Sequence, residues 1–519
     1  LKLLPEPLIR DRPILSVVYA LVLLNTGQLE AVESRLQDAE RGLAQSEQTV
    51  FEQTVAGHPT SSPATQQIQI EQYLSLPASI ANARAYRAQA LGDFASTINY
   101  AQQALALLST DDDYERGTTA AILGLAYWAS GNVAAAHRSF AEGLKVFAKL
   151  GGVQIAVAAT FILANMHMAQ GLLRTACKTC EQALQLAAQQ PGPILQGTAE
   201  LHLALSEIHY EQGNLAAANQ LLLKGESLRE QISISGANYM WWLVKAQLNA
   251  AQGDLDTALD QLDEAMRLYR RSPVPNVRPL EALKVQWWLR QEKLAEALGW
   301  LRECGLSVAD QPSYLHEYEH LTLARVLMAQ FRRDGRGEMM HQALDLLTRL
   351  LAAAEIQERT GSMINILVVL ALANEAQGDV VAAIVSLERA LSLAEPEGYV
   401  RIFAESGTPM VHLLQEAMTR GITPSYTRQL LTALETWGHP QTKTPTTAIP
   451  ASQPLVEPLS QRELDVLRLL NTELSGPEIA RELVVALSTV RTHTKSIYSK
   501  LNVTNRRAAV KRAAELNLI

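Results

Sequence analysis

A glycine that returns about every forty residues restricts this chain's fold more than any other feature of its sequence. Gly27, Gly92, Gly131, Gly171, Gly213, Gly253 and Gly378 each end an apolar helical stretch, and most are followed by Asp or Asn, or directly by Leu. From Gly92 the steps are 39, 40, 42 and 40 residues, and the gap of 125 from Gly253 to Gly378 holds three more. A fixed period of this size means a solenoid that grows by stacking units, which is also how 519 residues avoid one oversized core. Five residues after the glycine stand Ala136, Ala176, Ala218, Ala258 and Ala383, and twelve after it stand Ala39, Ala104, Gly143, Ala183, Ala265 and Ala390. Small side chains there let two helices approach closely, while the glycine ends the first helix and turns the chain into the second. Apolar content of 48% with only 5% aromatics suits Ala- and Leu-rich helices, so the predicted fold class is all-α.

The best copy, I-L-G-L-A-Y-W-A-S-G-N from Ile122 to Asn132, adds a small residue and an aromatic seven and four before the glycine. It resembles the tetratricopeptide repeat, although the usual period of about 34 is exceeded here and longer helices or loops are implied. HEAT-like helical pairs are the alternative. About nine pairs are expected over residues 1–436. Regularity is lowest near residues 291–349, where Q-E-K-L-A-E-A-L replaces the glycine phrase and R-R-D-G-R-G-E is expected to interrupt a repeat as a polar loop. Residues 57–68 are expected to form a loop as well.

Residues 437–458 are Pro- and Thr-rich with little charge, and read as an extended linker. The remainder, residues 459–519, carries ten Lys and Arg against six acids, while the rest of the chain has 35 bases and 47 acids. A basic end on an acidic body suits a chain of which only the end meets a polyanion. Ser460 with Glu463 forms a capping box before Leu464, Leu467 and Leu470, and a second short helix from about Ser475 to Leu483 turns Ile479 and Ala480 inward. The next helix, Ser488 to Leu501, puts Val490, Ile497 and Leu501 on one side and Ser488, Arg491, Thr492, Lys495 and Ser499 on the other. Cationic and hydroxylic groups with no acid among them suit phosphate oxygens and the acceptor-rich edge of guanine.

The phrases L-S-Q-R-E-L-D-V-L-R-L-L, E-I-A-R-E-L, T-V-R-T-H and K-L-N-V-T-N-R-R-A-A-V resemble the LuxR-type helix-turn-helix in order and spacing. Departures fall at Glu473, Gly476 and Ala486, where the family usually has Gly, Asn and a capping Ser. The face pattern and the matching motif positions together predict base contacts from Arg491, Thr492 and Lys495 and phosphate contacts from Thr489, Lys500 and Arg506. A fourth helix, about Asn505 to Leu516, is expected to offer Val510, Ala513 and Ala514 to a second DNA-binding domain.

E-P-E-G-Y-V-R-I-F-A-E-S-G-T-P-M after Ala394, and the opening R-D-R-P-I-L-S-V-V-Y-A-L, resemble the sensor region of MalT-like regulators, the large ATP-binding branch of the LuxR-type proteins. Such regulators carry a nucleotide-binding domain before the repeats. No G-x-x-x-x-G-K-[ST] occurs in this chain, so it is expected to be a piece of a longer regulator, with ATP belonging to the missing domain and no cofactor bound here. In tetratricopeptide repeats the residues thirteen, ten, six and three before the turn glycine face the inner groove. That register, carried over, places Trp128, Phe161, Asn165, Met168, Glu207, Tyr210, Met240 and Gln247 on one concave wall with no basic residue, suited to a neutral polar ligand or a peptide. The function implied is DNA-binding transcriptional regulation. Its expected partners are double-stranded promoter DNA, a small-molecule inducer or regulatory protein, a second copy on DNA and, as an option, RNA polymerase. The rival is a repeat scaffold for protein binding with vestigial DNA affinity.

No stretch of about twenty residues is apolar enough to span a bilayer, and no secretory signal opens the chain, so a cytoplasmic protein with no membrane partner is expected. Cys177, Cys180 and Cys304 cannot make a disulfide framework, and C-K-T-C lacks a second ligand pair, so buried structural cysteines and no metal are expected. No nucleophile stands with a base, and no catalytic residue is predicted. Of the pairs Trp241-Trp242 and Trp287-Trp288, Trp242 is expected in the core with Trp241 turned elsewhere.

Overall fold

The computed structural model describes residues 5–56, 63–149, 152–232, 238–270, 274–436, 460–472, 474, 476–483, 485, 487–500 and 513. Side chains are excepted at 46–56, 63–74, 229–232 and 436 and at scattered positions of the C-terminal domain. The chain divides into two compact units, Leu1–Pro440 and Gln441–Ile519. All regular structure among the described residues is helical, and no described helix is long and apolar enough to cross a membrane.

Among the described residues the first unit stacks nine helical pairs and a closing tenth. They are Pro13–Asn25 with Leu29–Ala56, Pro63–Leu91 with Phe94–Leu107, Asp113–Ala129 with Val133–Lys149, and Val153–Ala169 with Leu173–Ala188. Thr198–Glu211 with Leu215–Ile232, Asn238–Ala251 with Leu255–Leu268, and Leu280–Arg290 with Leu294–Glu303 follow. Glu317–Asp334 with Gly337–Ile356 and Thr360–Gln377 with Val380–Ala394 complete the series, and Thr408–Thr419 with Pro424–Thr436 closes it.

All seven repeat glycines sit at positive φ. At Gly131 the turn is a Schellman motif, with the Gly131 amide on Trp128 O at 3.0 Å and the Asn132 amide on Tyr127 O at 3.0 Å. The Asp or Asn after the glycine then caps the second helix: Asp93, Asn132, Asp254 and Asp379 each accept a backbone amide three residues on. In the seventh pair Glu292 takes the turn at φ 60°, at a strain of about 1 kcal/mol that glycine would not incur. The alanines five and twelve after each turn are buried at the helix–helix contact.

Two expected loops are corrected. Residues 63–68 belong to the helix Pro63–Leu91, which Pro63 opens at a position where no amide proton is needed; 57–62 lie outside the described residues. R-R-D-G-R-G-E interrupts nothing, because Gly335 at φ 67° is the turn of the eighth pair itself. The tryptophans also exchange roles. Trp241 is the fully buried ring, seated over Gly225 so tightly that a Cβ there would come within 2.5 Å of it, and Trp242 is partly buried beside Lys245.

The stack also meets itself. The turn after Ala129 receives Gln357, whose Nε2 donates to Ser130 O at 3.3 Å. The turn at Gly171 lies against Gly361, where a Cβ on Gly171 would stand 2.8 Å from the Gly361 nitrogen. The Arg174 amide donates to Glu397 at 2.8 Å and the Val400 amide to Glu211 O at 2.8 Å. One apolar core therefore joins Phe161, Leu173 and Ile208 to Leu347, Leu367 and Phe403, residues far apart in sequence. Pairs three to five and pairs eight and nine form a seam, and the inner helices surround a cavity between them.

The second unit is built on Gln461–Leu470, Gly476–Glu482 and Leu487–Lys500, with Val466, Leu467, Ile479, Ala480, Val490 and Ile497 in its core. Of the expected fourth helix only Ala513 is described; it is helical and fully buried, so it faces the domain's own core rather than a second copy.

Candidate ligand groove and DNA-reading helix

The inner helices enclose two adjoining chambers of about 260 and 270 Å³ that share Glu207, Arg278, Tyr318 and Tyr399 on their common boundary. All eight residues expected on the concave wall line them. Trp128, Phe161, Asn165, Met168 and Met240 belong to the first chamber, Tyr210 and Gln247 to the second, and Glu207 to both. Tyr239, Tyr269 and Tyr314 make the first chamber still more aromatic. Asn165 turns its amide nitrogen back to Phe161 O at 2.9 Å, while the Gln247 side-chain oxygen is buried without a hydrogen-bond partner.

The expectation of a wall without bases is overturned. Arg278, Arg290, Arg325, Arg332 and Arg401 line the second chamber. They come from the seventh and eighth pairs and from the two connecting segments, where no register had been assigned. A signal was present: counting ten, six and three back from Gly335 gives Arg325, Ala329 and Arg332, all three of which line the chamber.

Charges in this chamber are partly matched. The Arg278 guanidinium donates to Glu211 at 3.2 Å, and Arg401 donates to Glu405 at 3.1 Å while lying 5.1 Å from the Tyr210 ring centre. The Tyr210 hydroxyl donates to Glu405 across the seam, so this residue is already engaged within the protein. Burial pushes the Glu207 carboxyl up to about 7, helped by Glu211 and opposed by Arg278. Burial would raise Glu405 too, but Arg401 and Arg290 hold it below the usual carboxylate range. Beneath the first chamber, buried Arg359 donates to Glu317 and to Ser362 at 2.8 Å and stacks on Tyr314 at 4.7 Å.

In the second unit the capping box is complete: the Glu463 amide donates to Ser460 Oγ and the Glu463 carboxylate accepts the Ser460 amide at 2.7 Å. That carboxylate also accepts Ser496 Oγ at 2.5 Å and Lys500 Nζ at 3.0 Å. The buried acid thereby ties the first helix to Leu487–Lys500. Burial acts against the charge, yet the Ser496, Ser460 and Lys500 donors hold its carboxyl down at about 2. Lys500 is 17% exposed and committed to this ion pair, a geometry that does not favour the phosphate contact expected of it. Thr492 is exposed and Thr489 half-buried on the same helix. Arg491 and Lys495 stand on that helix with side chains outside the described set, and Arg506 lies outside the described residues.

Burial raises the thiols Cys177 and Cys180 to about 11 and about 12, so both are protonated at neutral pH.

Residues 78–420 match the family model of the MalT-like TPR region, and residues 457–513 that of bacterial regulatory proteins of the luxR family. Over 370 residues the chain is 26% identical to the HTH-type transcriptional regulator MalT of Vibrio cholerae serotype O1, covering 67% of this chain and 39% of that protein. It thus spans about two fifths of that relative's length. Similar solved structures include a Rap protein complexed with competence and sporulation factor (TM-score 0.48, 10% identity, 74% of this chain and 98% of that one). Another is the Rap conjugation gene regulator of plasmid pLS20 in complex with the Phr* peptide (TM-score 0.36, 12% identity, 78% and 99%).

Proposed function

From the premise that this chain belongs to the MalT-like TPR family, and carries a luxR-family domain behind its repeats, we propose that it is a DNA-binding transcription regulator whose repeat unit senses an inducer. The observation that carries this reading is the two-chambered cavity lined by the inner helices of seven successive pairs, in the same chain as a helix-turn-helix. An inducer seated there touches both sides of the seam, so it binds the closed arrangement better than an open one and shifts the population toward it. In the output domain, Arg491, Thr492 and Lys495 read base edges in a major groove, and Thr489 and Arg506 fix the helix on phosphates. Lys500 positions the recognition helix through Glu463 instead. A single helix reads few base pairs, so two copies on half-sites about one helical turn apart supply specific affinity, and RNA polymerase is the natural further partner of such a complex.

The test is selection of binding sites from genomic fragments with the full chain, followed by titration of the selected and of random DNA at several salt concentrations. Arg491→Ala is expected to cost about 1–3 kcal/mol on the selected site and relax one base pair, and Arg506→Ala to weaken all sequences alike with a flatter salt dependence. Equal losses on selected and random DNA for both variants would remove this division of labour. Failure to enrich any sequence would leave the protein-binding scaffold standing.

A further inference from the structure

We propose that the second chamber is an anion site, in which Arg325 and Arg332 hold the phosphate or carboxylate of a small organic ligand whose body lies in the aromatic chamber beside it. This rests on the groove being the sensor's ligand site. Five arginines line the chamber against three carboxylates, Glu207, Glu211 and Glu405. Two arginines are answered inside the protein, Arg278 by Glu211 and Arg401 by Glu405. Among the described residues neither Arg325 nor Arg332 has a carboxylate within ion-pair distance, and Arg325 Nε is buried with no hydrogen-bond partner. Spaced by seven on Glu317–Asp334, the two residues lie on one face of one helix with their Cα atoms about 10 Å apart along its axis, a span that two long arginine side chains can close over one anion. Arg290 enters the same chamber from Leu280–Arg290.

The Arg325 guanidinium is partly buried with no acid within ion-pair distance, Glu405 acting on it only from farther across the chamber, while Arg332 stands exposed at the rim; the planar fork of each matches carboxylate and phosphate oxygens two at a time. Glu207 at the boundary does not cancel this charge in full, since its carboxyl is protonated in part near pH 7 and then donates a hydrogen bond instead. The two chambers together have the size of a small-molecule pocket, too small for a folded domain or a duplex. The sequence-based expectation of a neutral ligand came from eight wall residues spread over both chambers, none of them basic, and the arginines of the second chamber add the opposite end of the same molecule.

The experiment is calorimetric titration of the full chain with phenyl phosphate, benzoate and benzyl alcohol, which share a ring and differ in charge. Saturable binding of the two anions, tighter than that of the alcohol, is expected. Arg325→Gln and Arg332→Gln should each weaken the anions by about tenfold or more and leave the alcohol unchanged, while Arg336→Gln, in the exposed turn nearby, changes nothing. A thermal midpoint for Arg325→Gln at or above that of the parent shows that any loss is not misfolding. Anions that bind the Arg325→Gln and parent chains equally, or that show no saturable binding, overturn the anion site. In those cases alcohol binding that Met168→Asp abolishes leaves the groove as a ligand site, whereas no binding by any of the three brings down the sensor reading as well.

Discussion

Two carboxylates show opposite consequences of their surroundings. Glu207 holds its proton up to about 7 where an exposed chain would release it near 4.5. Between those values the folded state binds more protons than the unfolded one, so stability falls as pH rises through this window and is level above it. Glu207→Gln is expected to remove that slope and to raise stability above pH 7 by up to about 3 kcal/mol, measured as urea midpoints across pH. Glu463 is held down at about 2, so its contribution is complete above about 4.5 and is lost as pH falls toward 2. Glu463→Ala should cost the second unit about 2–4 kcal/mol, because it removes the cap and leaves Lys500 half-buried without its acid; a thermal scan of the transition that Trp-free second unit shows by circular dichroism checks it.

At the scale of helices and turns, Gly171 and Gly378 share a backbone conformation and differ in what surrounds them. Both are at positive φ, 85° and 90°, but a Cβ on Gly171 meets the Gly361 backbone while one on Gly378 meets nothing within 4 Å. Gly378→Ala should therefore cost about 1–2 kcal/mol of conformational strain. Gly171→Ala should cost about 1–3 kcal/mol more, the difference measuring the seam contact in denaturant titrations. This contrast also marks where sequence stopped being informative. The turn glycines, the buried alanines, the inner-wall register and the capping box follow from local periodicity, which a sequence displays directly. The seam does not, because Gly171 looks like any other turn glycine until Gly361 is beside it. Trp241 was misassigned for the same reason: its partner Gly225 sits on another pair, twelve after Gly213 like the other small residues of that position. Arg325 and Arg332 are hidden from a sequence reading because the polar stretch with two glycines, which holds their turn Gly335, reads as a loop when taken alone.

For the molecule as a whole, the seam changes how stability is shared. In an open solenoid a repeat answers only to its neighbours. Here Arg359→Ala, which strands Glu317 and loosens the Gln357 contact on Ser130, is expected to cost about 3–5 kcal/mol and to speed amide exchange in Asp113–Ala129 and Val153–Ala169 as well as in pairs eight and nine. Exchange that rises only in pairs eight and nine would show that the seam carries no load. The same closure imposes an order on biosynthesis. Trp128 and Glu405 line one continuous cavity but leave the ribosome 277 residues apart, a delay on the order of tens of seconds. During that interval the aromatic side chains of the half-built wall lack the residues that later face them across the cavity. The helix Leu487–Lys500 is translated later still, after every residue that lines the cavity.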